Sequence, residues 1–208
     1  MNDWETSKLV DNRAEVFLKE TSDAILNIDI TPGFTEAVRA ISDCQGKVIT
    51  TGMGKAGHAA KKVASSMSSM GIPSTYIHPG ESAHGDIGCV SEEDILLAFS
   101  TSGKTREVVE TVGFARRIGV SKVISVTSHK DAEIRSISDI VVDMGEITEA
   151  GYLHIAPTTS IVVMLVIADM LTIMAAELRG FKMEDYALRH HGGYLGMKSR
   201  GEVPNEIK

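Results

Sequence analysis

The feature that most constrains this chain is an alternation, repeated from residue 47 onward, of short β-rich apolar runs with turns and helical patterns. Residues 47–51 (KVITT) read as a strand that enters a glycine-rich turn and a helix over 55–70. Residues 74–78 form the next strand, with a loop over 79–88. A third strand over 95–100 leads into a hydroxyl-rich turn and a helix to about residue 118. Strands over 122–127 and 140–144 flank a short helix at 132–136. Units of this kind imply a parallel sheet covered by helices on both faces. In such sheets ligands bind outside the carboxyl ends of the strands. The turns at Gly52 and Ser100 both fall at that edge.

Helical patterns stand on either side of this block. Leu9, Val16, Leu18, Ile25 and Leu26 recur at helical spacing within residues 4–28, and residues 32–42 read as a second helix. Residues 158–179 read as a long helix closed by Gly180, with a last helical turn at 184–189. Within it, residues 161–176 (IVVMLVIADMLTIMAA) approach the roughly 20 apolar residues that cross a bilayer. Asp169 interrupts that run, and a helix apolar nearly all round also suits a packed core, so a buried helix is expected.

The chain has 208 residues, enough for one domain with a substantial core. Its net charge is −7 and no Lys/Arg cluster occurs, which argues against nucleic-acid binding. Cys44 and Cys89 belong to no metal spacing, and residues 1–8 are too acidic for a signal peptide, so a reducing cytoplasm is expected.

Residues 51–58 read TGMGKAGH, in which Gly52, Gly54 and Gly57 fit G-x-G-x-x-G. A dinucleotide site also wants an acid about 20 residues on, and residues 72–80 have none. A Walker loop wants a glycine where Ile49 stands and Ser or Thr where Ala56 stands. NAD and ATP are therefore disfavoured. There remain a tight turn with Lys55 at its mouth and the plainer possibility of a strand-to-helix connection. Residues 99–107 read FSTSGKTRE. Ser100, Thr101, Ser102 and Thr105 supply more hydroxyls than one helix cap needs, and a helix N-terminus with free N–H groups suits a phosphate.

Five strings in order, TGMGKAGH, IHPGESAHGDIG, AFSTSGKTRE, IAPTTS and HHGGYLG, resemble the sugar isomerase (SIS) domain family. The resemblance runs from about residue 10 to 198 and is closest to the arabinose-5-phosphate isomerases of bacterial lipopolysaccharide and capsule synthesis. It implies a flavodoxin-like three-layer α/β/α sandwich on a parallel five-stranded sheet. The single domain would span 1–208, with N-terminal helices over 4–43, an α/β core over 47–195 and a short tail over 196–208. Many relatives carry paired CBS modules after the SIS domain, and the chain is expected to be the form without them. The resemblance also implies a cytoplasmic homotetramer with no nucleic-acid or membrane partner. Its reaction would interconvert D-ribulose 5-phosphate and D-arabinose 5-phosphate, the precursor of Kdo, with no cofactor required.

Isomerisation passes a proton between C1 and C2 through an enediol, which needs a base, oxyanion stabilisation and a proton shuttle. The resemblance carries Lys55, Glu107, Glu149 and His190 into these roles. Glu107 would be the base and Lys55 would stabilise the enediolate or phosphate. His190, from its own or a neighbouring subunit, would move protons between oxygens or open the ring. Glu149 would orient His190 or share the acid–base work. Substrate contacts would come from Gly52, Gly54, His78, His84, Ser100, Thr101, Ser102 and Thr105. His78 is also the position where relatives can hold zinc, as a non-essential or inhibitory ion. His129 and His154 read as structural or solvated. The chain departs from the family at Thr101 and Lys104, where Asn and Glu are usual, at Gly151-Tyr152-Leu153, and at His191. The competing readings are an isomerase of another phosphosugar and a non-catalytic sugar-phosphate sensor. The second usually carries an N-terminal DNA-binding domain, for which residues 1–45 are too short and too acidic.

Overall fold

The structure is a computed structural model that describes residues 3–202. Two helices come first, α1 (Asp3–Leu26) and α2 (Pro32–Asp43). There follow β1 (Val48–Gly52), α3 (Gly54–Ser69), β2 (Ser74–Ile77), α4 (Pro79–Ser82) and a 3-10 turn at Asp86–Cys89. The second half runs β3 (Ile95–Phe99), α5 (Arg106–Ile118), β4 (Lys122–Thr127), α6 (Glu133–Ser136) and β5 (Ile140–Asp143). Helices α7 (Thr159–Leu178), α8 (Met183–Arg189) and α9 (Gly193–Ser199) complete it. The five strands are all parallel, in the order β2-β1-β3-β4-β5.

Every residue of β1 and β3 is buried, which is why these strands read as unbroken apolar runs rather than as alternation. One sheet face sends Val48, Leu97, Phe99 and Ile124 into a core closed by α2, α3 and α7. The other sends Ile49, Leu96 and Val123 against Val108 and Val112 of α5. Gly52 pairs with Phe99, and Phe99 with Val126, so the carboxyl ends of β1, β3 and β4 are level.

Helix α3 lies unusually close to β1. Thr50 Oγ1 donates to the carbonyl of Ala60 at 2.8 Å, and Gly57, Ala59, Ala60 and Val63 form the buried face. A Cβ on Gly57 would meet the Gly52 carbonyl well inside contact distance. The third glycine of the G-x-G-x-x-G string is thus a packing glycine, and Gly54, at φ +60°, makes the turn.

Two expectations change. The loop over 79–88 contains α4 and the 3-10 turn, because Pro79 sits at the first helical position and the His78 side chain accepts from Gly80 N–H. The tail expected from residue 196 is helical through Ser199, and residues 203–208 lie outside the described residues. Helix α1 forms as its spacing predicts but has no buried residue, with Leu9, Val16 and Leu18 exposed. Helix α7 is long and apolar enough to cross a membrane, yet one face is core. Met164, Ile167 and Leu171 are fully buried there, each contributing about 1.5–3 kcal/mol. Its other face leaves Ile173, Met174 and Leu178 exposed.

Candidate active site

In chain order β1 leads outward to β2, and the chain then returns to place β3 on the other side of β1. Ligands collect at such a reversal. A cavity of about 290 Å³ opens there. Met53, Lys55 and Ala56 line it from the β1–α3 turn, and Ser100, Thr101, Ser102 and Thr105 from the β3–α5 turn. His129, from the end of β4, and Pro157 and Ile161, at the start of α7, close it.

The two turns present the same physical feature. Helix α3 has Met53 at its N-cap, which makes no side-chain capping bond, so its leading N–H groups are uncapped. Lys55 follows on the first turn, exposed, and no carboxylate among the described residues lies within 4 Å of its ammonium. Helix α5 has Thr105 at its N-cap, also without a capping bond. Its hydroxyl bonds that of Ser100 at 3.0 Å instead, and Ser100 Oγ accepts from Gly103 N–H at 3.0 Å. Ser100 and Thr105 therefore hold the turn in shape, which leaves the α5 N–H groups open. Each helix N-terminus carries roughly half a positive charge, so two of them beside one lysine make a site for a dianion such as phosphate.

Gly103 takes φ +61°, and a Cβ there would lie 2.8 Å from Thr127 Oγ1 and 2.9 Å from Ile134 Cγ2. The turn is also tied to the end of β4, where the Thr101 carbonyl accepts from Ser128 N–H at 3.0 Å. Lys104, one of the departures from the family pattern, pairs with Asp131 at 2.6 Å and does not line the cavity. That contact holds the Asp131 carboxyl below its ordinary range.

The carboxylates expected to act are placed differently from one another. Glu107 is exposed on the first turn of α5, two residues beyond the cavity-lining Thr105, and does not itself line the cavity. Glu149 is half-buried, and Oε2 accepts from Thr158 N–H at 2.8 Å, Ser160 N–H at 3.1 Å and the Thr158 hydroxyl at 3.3 Å. It caps α7, whose own N-cap Thr158 makes no side-chain capping bond. Thr158 and Ser160 belong to the segment that brings Pro157 and Ile161 to the cavity, so Glu149 shapes that wall.

Gly52 and Gly54 form the first turn, and Tyr76 O–H donates to the Gly52 carbonyl at 3.0 Å, burial pushing that phenol up. His78 is half-buried at the end of β2, with Nδ1 accepting from Gly80 N–H at 3.1 Å; His84 is exposed beyond α4. Neither lines the cavity. No group of three His, Cys, Asp or Glu among the described residues could hold a metal ion. The donor set around His78 thus does not amount to a zinc site among the described residues.

His190 stands apart. Its ring stacks on Tyr186 at 3.7 Å between centroids, and Tyr186 lines a cavity with Ser66, Ser69 and Met70 at the far end of α3. From Lys55 to Ser69 the helix rises about 20 Å, so one chain does not bring Lys55 and His190 together. Conversely, His129 does line the cavity, which the sequence reading missed. Its place two residues beyond Thr127, the last residue of β4, at the carboxyl edge of the sheet, was the available signal.

Residues 41–174 match the SIS domain family. The chain belongs to that family. The arabinose 5-phosphate isomerase KdsD of Pseudomonas aeruginosa is 39% identical over 165 residues, 79% of this chain and 50% of that protein. KdsD of Escherichia coli K12 is 38% identical over 169 residues, 81% of this chain and 51% of that protein. The chain thus spans about half the length of the curated relatives it matches. Among solved structures, a Bacteroides fragilis protein described as a phosphosugar isomerase involved in capsule formation is 40% identical, with a TM-score of 0.85. The alignment covers 89% of this chain and 99% of that one. An Escherichia coli CFT073 protein in complex with arabinose 5-phosphate is 31% identical, with a TM-score of 0.82, covering 91% and 100%. The α/β/α sandwich on a parallel five-stranded sheet is as the sequence implied.

Proposed function

We propose that this chain is an aldose–ketose isomerase that interconverts D-arabinose 5-phosphate and D-ribulose 5-phosphate through an enediol. The observation that carries the reading is the cavity itself, where two uncapped helix N-termini and a lysine with no carboxylate partner among the described residues converge at the sheet's reversal point. That is a phosphosugar site by its charge, and the named functions of KdsD and of the relative bound to arabinose 5-phosphate narrow the sugar to a pentose phosphate. The product would feed Kdo synthesis for lipopolysaccharide or capsule.

In this mechanism the β3–α5 turn holds the phosphate. Lys55 and the α3 N-terminus stabilise negative charge on the sugar oxygens as the enediolate forms, where preorganised donors act most strongly. Glu107, on the first turn of α5, moves the carbon-bound proton between C1 and C2. Glu149 serves by positioning the start of α7 rather than by orienting His190 within the same chain.

His190 enters from another copy. The roughly 20 Å of α3 between it and Lys55 supports this, as do the exposed apolar residues of α1 and α7. A homotetramer in a reducing cytoplasm, where Cys44 and Cys89 stay thiols, fits this picture. The test against a non-catalytic sensor is incubation with ribulose 5-phosphate, watched for arabinose 5-phosphate by NMR. Saturable binding without conversion would establish a sensor and end the isomerase reading.

A further inference from the structure

The loop beyond β4 carries four basic side chains near the phosphate turn, if Lys104 across from it is included. Three are held by carboxylates: Lys104 by Asp131 at 2.6 Å, Lys130 by Glu146 at 3.4 Å, and Arg135 by Asp143 at 2.7 Å. The fourth is His129, whose imidazole makes no hydrogen bond among the described residues and lines the cavity. Its backbone is clamped on both sides. The N–H donates to the Thr101 carbonyl at 3.4 Å, and the carbonyl accepts from Arg135 Nε at 2.7 Å. Arg135 also reaches the Ser128 carbonyl, and the Ser128 hydroxyl bonds Gly145, so the loop is pinned where it meets the turn.

The sheet order decides what such a residue can do. Strand β3, which carries the phosphate turn, lies between β1 and β4. Lys55 stands beyond β1 and His129 beyond β4, so they flank the turn from opposite sides, about two strand spacings or 10 Å apart at their roots. A phosphate seated on the turn has three acceptor oxygens, and the open N–H groups of α5 satisfy only one side of it. On the side facing β4, beside the turn's own Thr101 and Ser102 hydroxyls, His129 is the one of these four basic side chains without an ion pair among the described residues.

We propose that His129 donates a hydrogen bond to the phosphate on its β4 side and so sets affinity for phosphorylated over unphosphorylated sugars. This rests on the isomerase reading of the site. A hydrogen bond to a charged group that is kept in both ground and transition state moves KM more than kcat. His129→Ala is expected to raise KM for arabinose 5-phosphate, and the inhibition constant of inorganic phosphate with it, by about tenfold or more. His129→Gln, which keeps an N–H donor, recovers most of both. In the wild-type protein, inorganic phosphate is expected to shift the His129 ring signals in NMR. If both constants for His129→Ala stay within about twofold of wild type, or if inhibitory phosphate leaves the ring signals unmoved, the assignment is overturned. A wild-type protein that neither binds nor converts the sugar phosphate would instead remove the reading of the site on which it rests.

Discussion

Removing the Glu149 carboxylate should loosen the cavity from outside it. In the structure this group accepts two backbone N–H bonds, from Thr158 at 2.8 Å and Ser160 at 3.1 Å. Ser160 is fully buried, so its N–H has no water to fall back on when the partner is lost. Hydrogen bonds to a charged acceptor are worth about 1.5–3 kcal/mol, and losing a helix cap costs about 0.5–2 kcal/mol. Because these overlap, Glu149→Ala should destabilise by about 2–4 kcal/mol. Glu149→Gln keeps an acceptor and loses mainly the charge at the helix N-terminus, about 1 kcal/mol. Urea unfolding at fixed protein concentration reads both, as a lower midpoint with an unchanged m value. The order wild type, Gln, Ala is the expected result. An Ala variant as stable as wild type would refute the capping role. A stable Gln variant with a large loss of kcat would give the charge to the chemistry instead.

Gly103→Ala should be worse for its size than most surface changes, since left-handed backbone costs about 1–2 kcal/mol and the new Cβ overlaps Thr127 and Ile134; the phosphate inhibition constant should rise with the loss of stability. Glu107→Gln should keep its fold and substrate affinity while kcat falls by about a hundredfold or more, as for loss of a general base; a near-wild-type rate would remove it from the mechanism. Mixing inactive Lys55→Ala and His190→Ala proteins under subunit exchange should restore turnover, and no recovery in mixed oligomers would put His190 outside the neighbour's site. Burial opposes the charge of Asp94, but N–H bonds from Lys47 at 2.6 Å and Ser91 at 2.9 Å, with the Lys47 ammonium, outweigh it and hold its carboxyl below the ordinary range. A depressed folded value means the stabilisation is present above the unfolded value of about 3.9 and is lost as pH falls through the folded one. Urea midpoints of wild type should therefore drop on acidification below about pH 4 more than those of Asp94→Asn; parallel profiles would contradict it.

The sheet was legible because its central strands are buried on both faces and show as apolar runs, and the two turns because glycines and hydroxyls mark strand ends. What those turn residues do was less so. The hydroxyl count pointed to a phosphate cradle, but Ser100 and Thr105 spend their hydroxyls on each other, and the open donors are backbone N–H groups that no side chain announces. Glu149 looked like a site acid, since a cap reached across nine residues leaves no local pattern. His129 looked like any loop histidine, because whether an imidazole faces a cavity or solvent depends on neighbours from other strands. The apolar spacing of α1 was read correctly as helix, but periodicity does not say what covers the stripe: Ile25 packs against the core, while Leu9, Val16 and Leu18 stay exposed.

The central claim is that this cavity turns a bound phosphosugar into an enediol. Incubation with ribulose 5-phosphate in deuterated water, followed by NMR, tests it directly. The predicted result is a mixture of ribulose 5-phosphate and arabinose 5-phosphate reached from either side, with deuterium appearing at the carbon that exchanges its proton. Ribulose 5-phosphate that binds saturably yet stays unconverted and undeuterated would contradict it.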